Sequence, residues 1–138
     1  MKVRFIVLVL ALWFIPAFCF AGDVVVISNS SVTESTLSKK DVSSIYLGKK
    51  SSWSNGSKIS FVVLEGETHE AFLKNYVGKS ESQFNTFWKK QVFTGKGTPP
   101  RKLDSEKAMV DFVAGTAGAI GYVSSGTDVS NVKIISIN

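Results

Sequence analysis

Cysteine and histidine are almost missing from this chain: its 138 residues hold one of each, Cys19 and His69. Cys19 lies in the apolar opening stretch, so the rest of the chain has no disulfide, thiol nucleophile or thiolate metal site open to it. One histidine excludes a histidine-rich metal centre, and no Gly-x-Ser-x-Gly elbow is present. Serines are plentiful, and none is singled out as a nucleophile for His69 to serve. The expectation is a protein that is no enzyme, with no catalytic residue, no metal and no cofactor. Strong charge of one sign is lacking as well. The 16 Lys and Arg against 11 Asp and Glu leave +5, falling by two to +3 without Lys2 and Arg4. That balance gives nucleic-acid binding no support. Repeats, low-complexity tracts and long linkers are also missing, which predicts one domain.

What is there begins with an export signal. Met1-Lys2-Val3-Arg4 is a basic start, Phe5 to Phe20 is an apolar run interrupted by Pro16, and Ala21-Gly22 offers a small residue for cleavage. The run is short for a membrane span. An uncleaved anchor is the competing reading, and a lipoprotein is disfavoured because bulky Phe18 precedes Cys19. The expected division is a signal peptide over 1–21 and a domain over 22–138, of about 117 residues, enough for a modest core. Export without disulfides points to a bacterial periplasm, with no stable membrane insertion once the signal is removed.

Strand and helix patterns then alternate. Val24 to Ile27 is a β-branched run that predicts a strand buried on both faces. After a polar loop, Ser38 with Asp41 forms a capping box for a helix that turns Val42, Ile45 and Tyr46 inward and stops at Gly48. Trp53-Ser54-Asn55-Gly56 reads as a turn and Ile59 to Leu64 as a strand. Thr68 is expected to cap a helix carrying Ala71, Phe72 and Tyr76 and closed by Gly78. Ser80 with Gln83 opens another, with Phe84, Phe87, Trp88 and Val92 at helical spacing. Gly95 to Arg101 is a loop. Ser105 opens a last helix with Met109, Val110, Phe112 and Val113 on its apolar side. Ala119 to Val123 and Val132 to Ile137 are closing strands, and the order predicts a three-layer α/β domain around a mixed sheet.

Two segments carry a resemblance. "LSKKDVSSIYLGKKSSWSNGSKI", Leu37 to Ile59, resembles the short helix, Ile-Tyr-Leu-Gly-Lys run and Trp turn of phosphate-transport substrate-binding proteins. "MVDFVAGTAGAIGYV", Met109 to Val123, is similar to their later helix-turn-strand segment. The resemblance spans nearly the whole of 22–138 and implies a small, single-lobe relative of the type 2 periplasmic binding proteins, with an α/β/α architecture. It also implies a small anionic ligand such as phosphate, held where a strand meets a helix start. Partners on this reading are a transporter or an envelope protein, or a second copy of the chain that completes the cleft.

The matching turn, Val63 to His69, departs from the family. Gly66 matches, Glu65 keeps an acid, and Thr68 or His69 replaces the hydroxyl at the helix start. Val63 stands where the family shows an arginine, and Glu67 where it shows a serine. A second negative charge within ~4 Å of an anion repels it by about 1 kcal/mol in water and more in a drier site. The expected phosphate affinity is thus no tighter than about millimolar. In the loop that follows the third helix, Lys96 and Arg101 are candidate cations, so Gly66, Thr68, His69, Lys96 and Arg101 form the candidate ligand set. The plainer alternative for Lys96 to Arg101 is a solvated connector. His69 with Glu65, Glu67 and Glu70 has the composition of a zinc-type site. The plainer reading is that Glu67 and Glu70 complement the helix dipole. A non-binding interaction or structural domain is the alternative function.

Overall fold

The computed structural model describes residues 23–138. The signal peptide expected over 1–21 lies outside the described residues. Strands and helices follow in the order β1 (Val24–Ser28), β2 (Thr36–Leu37), α1 (Lys39–Tyr46), β3 (Ser60–Phe61), α2 (Glu67–Phe72), α3 (Glu81–Phe93), α4 (Glu106–Gly115), β4 (Ala119–Ser124) and β5 (Lys133–Ile137). The sheet runs β2-β5-β1-β4-β3. β1 lies antiparallel to both neighbours, with Val26 opposite Tyr122 and Ile135. The edge strands β2 and β3 pair parallel to β5 and β4, so the sheet is mixed.

Side-chain alternation along β4 sorts the helices into layers. On one face, a Cβ at Gly121 would lie 2.5 Å from Met109 Sδ and 2.9 Å from Val113 Cγ2, so α4 sits directly on the strand there. On the other face Tyr122 stacks on Phe72 with ring centroids 3.8 Å apart, and meets Tyr46 at 5.8 Å. Helices α1 and α2 thus cover the second face. α3 closes over them through Trp88, whose indole N–H donates to the Tyr46 carbonyl at 3.1 Å. The expected three-layer α/β/α arrangement is what forms.

Local chemistry sets the element ends. Both capping boxes are present: Asp41 N–H donates to Ser38 Oγ at 3.0 Å, and Gln83 N–H to Ser80 Oγ at 3.1 Å. Gly78 closes the helical stretch begun by α2, which finishes as a π turn over Leu73–Val77. Gly118 is left-handed, and a Cβ there would collide with the Lys58 carbonyl oxygen, so only glycine fits. Its own carbonyl accepts from Trp53 Nε1 at 2.9 Å, which joins the Trp turn to the Gly-Ala-Ile-Gly-Tyr-Val strand.

Four expectations need correction. β2 forms inside the stretch read as a polar loop, because Ser136 and Asn138 donate to the Ser35 and Leu37 carbonyls. The strand expected over Ile59 to Leu64 shortens to β3, since Val63 leaves β4 and bridges Lys102 instead. Thr68 does not cap its helix: Gly66 stands at the N-cap and contributes no side chain. Val92, grouped by spacing with the buried Phe84 and Trp88, is 44% exposed, and the neighbouring Phe93 is 92% exposed.

Candidate functional site

The strand end and helix start from Leu64 to Thr68 hold two of the residues the sequence singles out, Gly66 and Thr68. Gly66 has φ 82°, a value that favours glycine, and this lets the chain turn sharply from Glu65 into α2. Glu65, Gly66 and Glu67 are exposed and Thr68 is half-buried. With six residues, α2 presents only a small aligned dipole. The Thr68 hydroxyl is already engaged: it donates to Glu106 Oε1 at 3.0 Å. The same carboxylate accepts from Ser124 N–H at 2.9 Å, Ser124 Oγ at 2.7 Å and Thr127 Oγ1. Burial alone would raise the Glu106 pKa, but the hydrogen bonds from Thr127, Ser124 and Thr68 outweigh it and hold the carboxyl below its usual range.

His69 is buried in the core, 1% exposed. Its Nδ1 lies 2.5 Å from the Tyr122 hydroxyl, and that oxygen accepts from Leu64 N–H at 2.8 Å. Tyr122 and Nδ1 share one hydrogen bond, whose donor is set by the imidazole tautomer. Nε2 is buried without a partner among the described residues. Burial first, then the charge of Lys102, pushes the His69 pKa down to about 4 against the opposing effect of Glu65. The ring is therefore neutral at pH 7 and ties α2 to β4. Among the described residues no group of three or more metal-type side chains converges.

The loop after α3 comes back to the same neighbourhood. Val63 N–H donates to the Arg101 carbonyl at 3.0 Å and Leu103 N–H to the Val63 carbonyl at 2.8 Å, so residues 101–103 extend the sheet past β3. The side chains of Lys96 and Arg101 are exposed. Gly97 lies against Trp88, where a Cβ would come within 3.1 Å of the ring. Between this loop and α3 runs a groove of about 570 Å³, lined by Val63, Phe84, Trp88, Val92, Pro99 and Lys102 among others. Lys89 also lines it, and no acid does. Apolar walls with a few fixed charges are the usual composition of a small-molecule site, and the volume falls in that class.

Of the five candidate ligand residues, then, Gly66 and Thr68 stand at the helix start, His69 is inside the core, and Lys96 and Arg101 are exposed on the connecting loop. Lys102, Lys89, Tyr122 and Glu106 were missed. Only the Lys102 position had a signal, its place one residue after Arg101 in an extended segment whose side chains alternate. Glu106 reads in sequence as an ordinary first-turn acid.

No protein-family model and no curated protein matches the chain. Solved structures do. An ABC-type phosphate transport receptor from Vibrio cholerae aligns with TM-score 0.58 and 18% identity, over 83% of this chain and 46% of that one. PstS from Borrelia burgdorferi aligns with TM-score 0.63 and 14% identity, over 84% and 47%. A phosphate ABC transporter substrate-binding protein from Clostridium perfringens, solved with bound phosphate, gives 0.65 and 20%, over 83% and 44%. The fold is that of part of a phosphate substrate-binding protein. The chain spans less than half the length of each of these neighbours.

Proposed function

We propose that this chain is an exported, non-catalytic recognition domain of the solute-binding type, and that its ligand is a small organic anion: a carboxylate or phosphate carried on an apolar body. The observation that carries this reading is the groove between α3 and residues 99–102, where Phe84, Trp88 and Pro99 supply apolar wall and Lys89 and Lys102 supply the positive charge. The fold shared with phosphate-binding neighbours supports solute recognition as the class of function. The candidate residues Gly66, Thr68, His69, Lys96 and Arg101 are less suited to the task, since Thr68 is spent on Glu106 and His69 is sealed in the core. No helix among the described residues is long and apolar enough to cross a membrane. Export itself is read from intact mass: the recovered protein should begin at or near Gly22, and a full-length membrane-bound product would overturn that part.

Calorimetric titration with phenyl phosphate and inorganic phosphate tests the ligand class. Phenyl phosphate should bind at least about tenfold more tightly, because a stacked ring adds roughly 1.4 kcal/mol or more. Lys102→Ala should weaken it several-fold. Micromolar binding of inorganic phosphate that ignores Lys102→Ala would contradict the reading. The exposed Phe93, which lines the groove's edge, favours a second reading, an interaction surface for a transporter, an envelope protein or a second copy of the chain. A dimer by light scattering that Phe93→Ser dissociates, together with no response to phenyl phosphate, would move the conclusion there.

A further inference from the structure

Glu106 poses a question that the groove does not. Its carboxylate is an ionised group withdrawn from much of the solvent, yet no cation pairs with it: the ion pairs among the described residues are Lys50 with Asp41 and Lys107 with Asp111. Instead four donors converge from three places in the chain. Thr68 Oγ1 and Ser124 N–H meet Oε1 at 3.0 and 2.9 Å, while Ser124 Oγ and Thr127 Oγ1 meet Oε2, the first at 2.7 Å. Three hydroxyls and one amide without a counter-ion make up a neutral-donor oxyanion site, in which oriented dipoles replace a salt bridge. The hydroxyls of Ser124 and Thr127 lie 3.2 Å apart and converge on the same oxygen, Oε2.

We propose that the Thr68–Ser124–Thr127 cradle is an oxyanion site that the protein fills with its own Glu106, which acts as a tethered competitor and keeps free carboxylates and tetrahedral oxyanions out. The tether is short and rigid, since Glu106 is the first residue of α4 and Ser105 caps that helix through Ala108 N–H at 3.0 Å. A ligand held on the same chain has a high effective concentration, so a free anion in solution displaces it only at high concentration. The Thr68 hydroxyl, beside the helix start, is thus already given to an anion of the chain itself. The inference stands apart from the groove, whose residues it does not share.

Thermal melts of the purified protein and of Glu106→Ala and Glu106→Gln, in formate, acetate, phosphate and chloride at matched ionic strength, test it. Glu106→Ala vacates the cradle, and its melting temperature should rise by about 5 °C in a saturable way with formate, acetate or phosphate but not chloride. The wild type should show no such saturable rise. Glu106→Gln keeps the cradle filled with a neutral side chain of the same shape, and should not respond either. If Glu106→Ala is unfolded, the same anions are added during refolding and circular dichroism should show recovery of the fold. A Glu106→Ala protein that no oxyanion stabilises or refolds would overturn the proposal. So would equal stabilisation of all three proteins, which would put the anion elsewhere.

Discussion

His69 shows how a polar residue becomes structural. Its hydrogen bond with Tyr122, and that of Tyr122 with Leu64 N–H, close a chain across α2, β4 and the strand end between them. The pH dependence follows from its pKa, pushed down from an ordinary 6.5 to about 4. Between those values the unfolded chain takes up a proton that the folded one refuses, so stability rises with pH there. It is complete above 6.5, falls as pH drops towards 4, and levels off below. The loss amounts to about 3 kcal/mol, ahead of that from the carboxylates of Asp41 and Glu106, which weaken at lower pH. Because the chain has one histidine, its Cε1 proton resonance needs no assignment. That resonance should stay flat from pH 8 to 5 and shift with a midpoint near 4, and a midpoint near 6.5 would mean the ring is solvated. Sequence offers no access to this burial: Glu65, Glu67 and Glu70 around His69 suggest a wet, charged turn, whereas α2 turns the imidazole inward against Phe84, at 5.6 Å between ring centroids.

Elements were more legible than their contacts. Capping chemistry is local, so Ser38 with Asp41 and Ser80 with Gln83 announce helix starts that the structure keeps. Ser80→Ala should therefore cost about 1 kcal/mol in urea unfolding with an unchanged m-value. No measurable change would mean that α3 is held by Trp88 and Phe84 packing alone. Pairings between distant segments were not legible. The bridge from Val63 to Lys102 and the short β2 against β5 each depend on backbone groups far apart in sequence, which leave no periodic signature. Those pairings decide the candidate site, because the Val63 bridge places Lys102 on the groove's lining, which Arg101 does not join.

At the scale of the molecule, one core joins both faces of the sheet, from Met109 and Val113 under Gly121 to Tyr46 and Phe72 over Tyr122. The motifs around Leu37 to Ile59 and Met109 to Val123 led to this fold because they encode its close approaches: Trp53 to Gly118, and α4 to Gly121. They carry no comparable information about ligand, since the turn from Val63 to His69 lies outside both of them. With less than half the length of its structural neighbours, the domain offers a lysine-rimmed groove on one lobe and a cradle filled from within. The most direct test of where recognition occurs is a backbone amide NMR titration of the purified protein with phenyl phosphate and with inorganic phosphate. Phenyl phosphate should shift the amides around Phe84, Trp88 and Lys102 in a saturable way, with those of Gly66 to Thr68 unmoved. Saturable shifts confined to Gly66, Glu67 and Thr68 at submillimolar inorganic phosphate would contradict it.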